Sequence, residues 1–143
     1  LTGLVFVALS INLKQILAGP GLPSRAAEAI ILLMQPVVLG AIALVPGQSN
    51  VALGVEVLVT GAVTWTLISR MIYRARSALA TLAISKVAIR VVFAEAATVA
   101  TLVAGIMLVV GASQGLDVLA AGLIVCLVDG VLDAWVLLVE ILR

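Results

Sequence analysis

Five long apolar runs, separated by short clusters of proline, glycine and polar residues, constrain this chain more than any other feature. They fall at about residues 1–17, 26–45, 51–73, 87–110 and 116–142. A helix needs about 20 mostly apolar residues to cross the ~30 Å hydrocarbon layer of a bilayer, so runs of this length read as membrane spans. Where a run has no polar face, periodicity does not separate helix from strand, but length does. A membrane β-barrel would show alternating segments of about 10 residues, and these runs are longer and do not alternate. The expected fold is therefore an all-α, polytopic transmembrane bundle of five spans, forming a single domain over residues 1–143.

The breaks between runs are chemically specific. Gly19-Pro20-Gly21-Leu22-Pro23 ends the first run, Pro46-Gly47-Gln48-Ser49-Asn50 the second, and Gly111-Ala112-Ser113-Gln114-Gly115 the fourth. The third run leads into the basic stretch 74–86, which reads as a cytoplasmic loop or as a short interfacial helix that attracts anionic headgroups. Gln35-Pro36 predicts a kink in the second span, with the Gln35 side chain meeting the carbonyl that proline frees. The chain begins at Leu1 inside an apolar run, so the first segment is expected to be a shortened span rather than a signal peptide, for which no cleavage site is found.

Composition closes off the other classes. The chain is 64% hydrophobic and 10% charged, whereas a soluble domain carries about 25% charged residues to keep its surface hydrated. A net charge of +1 gives nucleic acid no basic face, and the single cysteine, Cys126, excludes a disulfide scaffold. With no histidine, metal, haem or iron–sulfur ligation has almost no donors, so no metal and no cofactor are expected.

The basic residues sort by side. Lys14 and Arg25 flank the first connection, Arg70, Arg74, Arg76, Lys86 and Arg90 surround the third, and Arg143 ends the chain. The second and fourth connections, around Gln48 and Gln114, hold no Lys or Arg. The positive-inside rule then sets the N-terminus outside and the C-terminus in the cytoplasm.

Acids inside the apolar runs carry the functional reading. Asp129, Asp133 and Glu140 lie on one face of the fifth span at 100° per residue, with Asp129 ~16 Å inward of Glu140 by helical rise. Fourteen Leu, Ile and Val residues between Leu116 and Val139 favour insertion by roughly 4–8 kcal/mol, and two central aspartates oppose it by about 5–7 kcal/mol. Such a helix is marginal alone, so its acidic face must turn to protein or water. Beside that face Gly122, Cys126, Gly130 and Ala134 place a small residue at every fourth position, where another helix can approach closely.

Lys14, Glu95, Asp133 and Glu140 lie in the same cytoplasmic half, where Lys14 supplies a partner for an acid. Two readings follow: an ion-pair network joining Lys14 with Glu95 or Asp133 and Glu140 with Arg143, or a proton or cation path lined by Asp129, Asp133 and Glu140. Glu56, near the outer end of the third span, has no basic residue on its side and faces a vestibule or is protonated. Glu28 reads as the acid of a helix start at Ser24. Trp65 reads as a packing residue and Cys126 as a small buried one. Glu28 to Gln48 and Glu95 to Gln114 bracket apolar spans holding Gly40 and Gly105, which raises an internal repeat of the two hairpins.

Enzyme signatures are missing. Asp129 and Asp133 share one turn of one helix, whereas an intramembrane aspartyl protease needs carboxylates converging from different helices. Asp129-Gly130 matches only the opening of the phosphatidyl-transferase signature, and no nucleophile elbow, phosphate loop or His-Glu-x-x-His occurs.

The stretch Leu1-Thr2-Gly3-Leu4-Val5-Phe6-Val7-Ala8-Leu9-Ser10-Ile11-Asn12-Leu13, with Leu22-Pro23-Ser24-Arg25-Ala26-Ala27-Glu28 and Pro46-Gly47-Gln48, resembles small membrane proteins of high-GC bacteria. Some members of that family are labelled FtsH-protease modulators. The resemblance covers about the first third of the chain. It implies a bacterial inner membrane and a regulatory role, and it carries over no functional residue.

The expectation is thus a lipid-embedded homo-oligomer that passes a cation or proton along the acidic face of the fifth span, and not an enzyme. Its rival is a non-conducting scaffold or regulatory subunit that binds a membrane protein partner.

Overall fold

A computed structural model describes the backbone of residues 2–19, 22–79 and 84–141, and the side chains of these except 74–79, 84–90 and 140–141. The described residues form six helices, α1 (Thr2–Ile11), α2 (Leu13–Ala18), α3 (Leu22–Ala43), α4 (Asn50–Leu79), α5 (Ile84–Val110) and α6 (Gly115–Ile141), and no strand. Among the described residues, four stretches are long and apolar enough to cross a membrane: Leu22–Ala43, Asn50–Tyr73, Val91–Val110 and Gly115–Val139. These helices run alternately up and down. α4 packs on α5, α5 on α6, and α6 back on α3, with a lighter α3–α4 seam closing a four-membered ring. One end of the ring carries Arg25 and Arg70 and is called the basic end below; the far end carries the loops at Gln48 and Gln114.

The first run differs from the single span expected of it. It divides into the ten-residue α1 and the six-residue α2 at Asn12. The Asn12 side-chain amide donates to the Ala8 carbonyl at 2.9 Å, and Ser10 Oγ donates to the Phe6 carbonyl at 2.8 Å. Polar side chains that bond back onto the preceding turn bend a helix. The pair lies against α3, with Leu9 and Ile16 packed on Ala26 and on Leu137 of α6.

The expected loop at 74–86 also differs. α4 continues to Leu79 and α5 begins at Ile84, so most of the basic stretch is helical. Charge does not end a helix; glycine and proline do, and neither occurs between Gly61 and Gly105.

The true breaks follow turn chemistry. Ser49 Oγ accepts the Ala52 N–H at 3.2 Å and caps α4. α5 ends in a Schellman motif: Gly111 has φ 79°, its N–H reaches Leu108 O at 3.1 Å, and the Ala112 N–H reaches Met107 O at 2.8 Å. The expected kink partner at Gln35-Pro36 is a third difference. Pro36 lies inside the continuous α3, and Gln35 reaches across the bundle instead of to its own backbone.

Glycine lines both sides of the α4–α5 seam and lets the two helices approach closely. A Cβ on Gly105 would lie 2.7 Å from Leu58 Cγ, and one on Gly54 would lie 2.8 Å from the Val109 backbone nitrogen. Gly105→Val must part these helices, and overpacking of this kind costs about 1–3 kcal/mol. We expect a lower thermal midpoint in detergent for Gly105→Val. Gly40 has open space at its Cβ position and should accept the same change. That contrast also means that the two glycines equated by the internal repeat stand in unlike surroundings.

Candidate functional site

Inside the ring, the four helices present alternating polar and apolar layers. At mid-height Gln35 of α3, fully inward, donates from Nε2 to Thr101 Oγ1 of α5 at 3.0 Å. Cys126 Sγ of α6 donates to Gln35 Oε1 at 3.6 Å. Cys126, read from sequence only as a small buried residue, therefore helps tie three helices together. Thr98 and Thr101 return their hydroxyls to the α5 backbone, at Ala94 O and Ala97 O, both at 3.1 Å.

The contact between Gln35 and Cys126 fixes the register of the antiparallel α3 and α6. Seven residues toward the basic end on each helix, two turns and ~10.5 Å away, bring Glu28 level with Asp133. Since seven residues almost restore the same helix face, Glu28 points inward as Gln35 does, and Asp133 as Cys126 does. Burial agrees: Glu28 is 2% exposed, Asp133 6% and Asp129 7%. Two independent contacts give the same register, Gly130 against Leu33 and Leu137 beside Ala26. Arg25 lies one turn beyond Glu28 at the basic end, and Arg25, Glu28, Asp129 and Asp133 each interact with neighbouring groups.

Glu28 is the residue that sequence reasoning misplaced. α3 starts at Leu22 and not after Ser24, so Glu28 lies past the first turn and inside the bundle. Its seven-residue spacing from Gln35 was the available signal. The acidic layer is thus built by two helices, and not by the fifth run alone.

The small-residue face of α6 is consumed within the chain. A Cβ on Gly122 would lie 3.2 Å from Ala100 Cβ of α5, and one on Gly130 would lie 2.8 Å from Leu33 Cγ of α3. Cys126 and Ala134 are buried in the same stripe. These residues let α3 and α5 close over the acids.

The other expected site residues lie outside this interior. Glu95 is half-buried at the α4–α5 seam, where Trp65 Nε1 donates to its Oε2 at 2.7 Å and Ser69 Oγ to its Oε1 at 3.3 Å. Trp65 is 43% exposed and also acts as a donor, a role its sequence reading did not include. Lys14 is exposed on α2, on the opposite flank, so a Lys14–Glu95 pair within one chain does not form. Glu56 is exposed at the far end and accepts from Gln48 Nε2. Glu140 belongs to α6, but its side chain lies outside the described residues.

Above the glutamine layer, toward the far end, the interior turns apolar. Leu39 of α3, Leu53 and Val57 of α4, Ala104 and Leu108 of α5 and Leu119 of α6 form one buried cluster fed by all four helices. A smaller apolar cluster, Leu32, Ile68 and Ala94 of α3, α4 and α5, stands at the height of the acids. The interior therefore holds its buried carboxyl groups in the basic half and is closed by hydrocarbon in the other.

No three-carboxylate or mixed cluster with metal-binding geometry occurs among the described residues. Comparison with known protein families, with curated proteins and with solved structures finds no match.

Proposed function

We propose that this chain is a multi-pass protein of a bacterial inner membrane that passes a proton or small cation along the acidic face of α6. The path runs inside each protomer, and copies assemble as a homo-oligomer. The reading orients the basic end to the cytoplasm by the positive-inside rule, with the α1–α2 pair as a bent fifth crossing and the N-terminus outside. Glu28, Asp129 and Asp133 take up the ion from the cytoplasmic side, and the cluster around Leu39 and Leu108 is the barrier that must open for passage.

One observation carries it: three carboxyl groups at 7% exposure or less are buried in one half of an apolar bundle, two of them level on facing helices. Burying acids there is costly, and intramembrane ionisable groups mark ion or proton pathways. Their number matters as well. A single Arg–Glu pair would only hold helices in register, whereas acids on two helices at two levels offer successive stations for a proton or cation.

A second reading has its own support. The apolar cluster drawn from all four helices closes the far half of the interior, which suits a non-conducting scaffold or regulatory subunit. The likeness of the first third to labelled protease modulators points the same way.

Flux from liposomes separates them. Purified protein should dissipate an imposed proton or cation gradient faster than empty vesicles. Liposomes that hold folded protein yet leak no faster than empty ones would leave the scaffold reading.

A further inference from the structure

Two charges of opposite sign lie on the flanks of the bundle and take no part in the interior path. Lys14 is exposed on α2, which packs against α3 beside the α3–α6 side of the ring. Glu95 sits on the opposite, α4–α5 side, held by Trp65 and Ser69. We infer that Lys14 of one copy docks onto Glu95 of the next, so that protomers associate head to tail. This specifies the self-association in the reading above and is independent of conduction.

Depth is the first argument. The Gln35–Thr101 hydrogen bond puts those residues level on the parallel helices α3 and α5, so six residues earlier on each Ala29 is level with Glu95. Ile16 of α2 packs with Leu22 and Ala26 of α3. Lys14, half a turn from Ile16, therefore sits within about one helical turn of the height of Glu95, a gap its flexible four-carbon stem spans. Glu95 lies inside the apolar stretch Val91–Val110, where an isolated charge on the lipid face is expensive.

Acceptor capacity is the second. Trp65 and Ser69 use one hydrogen bond on each Glu95 oxygen, and an ionised carboxylate has about four lone-pair sites. An ammonium fits beside them, and the two donors fix the carboxylate where it can be met. Apolar side chains border each group: Ile11 and Leu17, 78% and 65% exposed, on one flank, and Val92 and Val99, 64% and 46% exposed, on the other. They supply a desolvated border for the pair. Because donor and acceptor faces lie on opposite flanks, no chain satisfies its own pair, and the contact is heterologous, closing as a ring or running as a row.

Charge reversal tests this in vesicles. Self-association, read by energy transfer between labelled full-length copies, should fall about tenfold or more in Lys14→Glu and in Glu95→Lys, as expected when one partner of a desolvated pair is lost. It should return in the double swap. Chains carrying Lys14→Cys and chains carrying Glu95→Cys, mixed in one membrane, should join through a short bis-maleimide, while either chain alone should not; Cys126 is buried and does not compete. Unchanged association in both single swaps, a double swap as weak as the singles, or a monomeric native protein would each overturn the pairing. So would a Glu95→Gln protein that loses a bound lipid amine while self-association is unaffected. Gradient dissipation depends on Glu28, Asp129 and Asp133, so failure here leaves the conduction test standing.

Discussion

Asp129→Asn with Asp133→Asn should lower cation or proton flux in liposomes about tenfold or more while the helical content and the oligomer survive. The substitution keeps side-chain size, so the packing of α6 against α3 and α5, set by Gly130 on Leu33 and Gly122 on Ala100, is not disturbed. What changes is charge and exchangeable protons. An amide neither ionises nor draws a cation, so an ion entering from the basic end meets only Glu28, and its next stop is lost. A single Asp129→Asn should do less than the pair, because Asp133 stands with Glu28 at one level. If the acids instead hold the helices together, the double variant should lose thermal stability, since removing one side of a buried charge network is strongly destabilising, by about 3–5 kcal/mol. Flux and melting measured on the same preparation therefore distinguish transport from architecture: flux lost with the melting midpoint kept supports the path, and unaltered flux rejects it.

Class and span ends were legible because they depend on local chemistry. Apolar length marks a crossing wherever it occurs, and Pro46-Gly47 and Gly111 break helices through backbone geometry that the residue type itself dictates. Sequence left the basic stretch 74–86 open between loop and short helix; Arg74, Ala75, Arg76, Ala78 and Leu79 are good helix formers, and α4 runs through them to Leu79. α1 and α2 were merged because Asn12 breaks the run by bonding its amide to Ala8, a competition that hydropathy does not register. The site was half legible. Asp129 and Asp133 stood out as charges in a span, but their partner Glu28 required the register between α3 and α6. That register comes from Gln35 meeting Cys126, a contact between residues 91 apart in sequence. Trp65 and Glu95 needed the α4–α5 register in the same way. The small-residue stripe was read as a close-approach face, yet sequence could not say whether the approaching helix belongs to the same chain.

Leu39→Asn should raise flux about tenfold if the far-end cluster is the barrier. Leu39 is fully buried and stands one turn beyond Gln35, where polar lining gives way to Leu53, Val57, Leu108 and Leu119. Hydrophobic constrictions stop ions by shedding water, and one polar side chain in the ring lets water bridge from the glutamine layer to the far end. The amide leaves donors unsatisfied while the passage is dry, at about 1–3 kcal/mol, and hydration of the open state removes that cost. The variant therefore favours the wet form by destabilising the dry one. Leu39→Met keeps the volume and the apolar surface and should leave flux near the native value, which controls for loosened packing. Combining Leu39→Asn with Asp129→Asn and Asp133→Asn should return flux to the low level, because an open far half still needs the acids to carry the ion through the basic half. An increase that persists without the acids would mean a nonspecific leak through a loosened bundle, and an unchanged flux in a folded Leu39→Asn protein would mean that this cluster gates nothing.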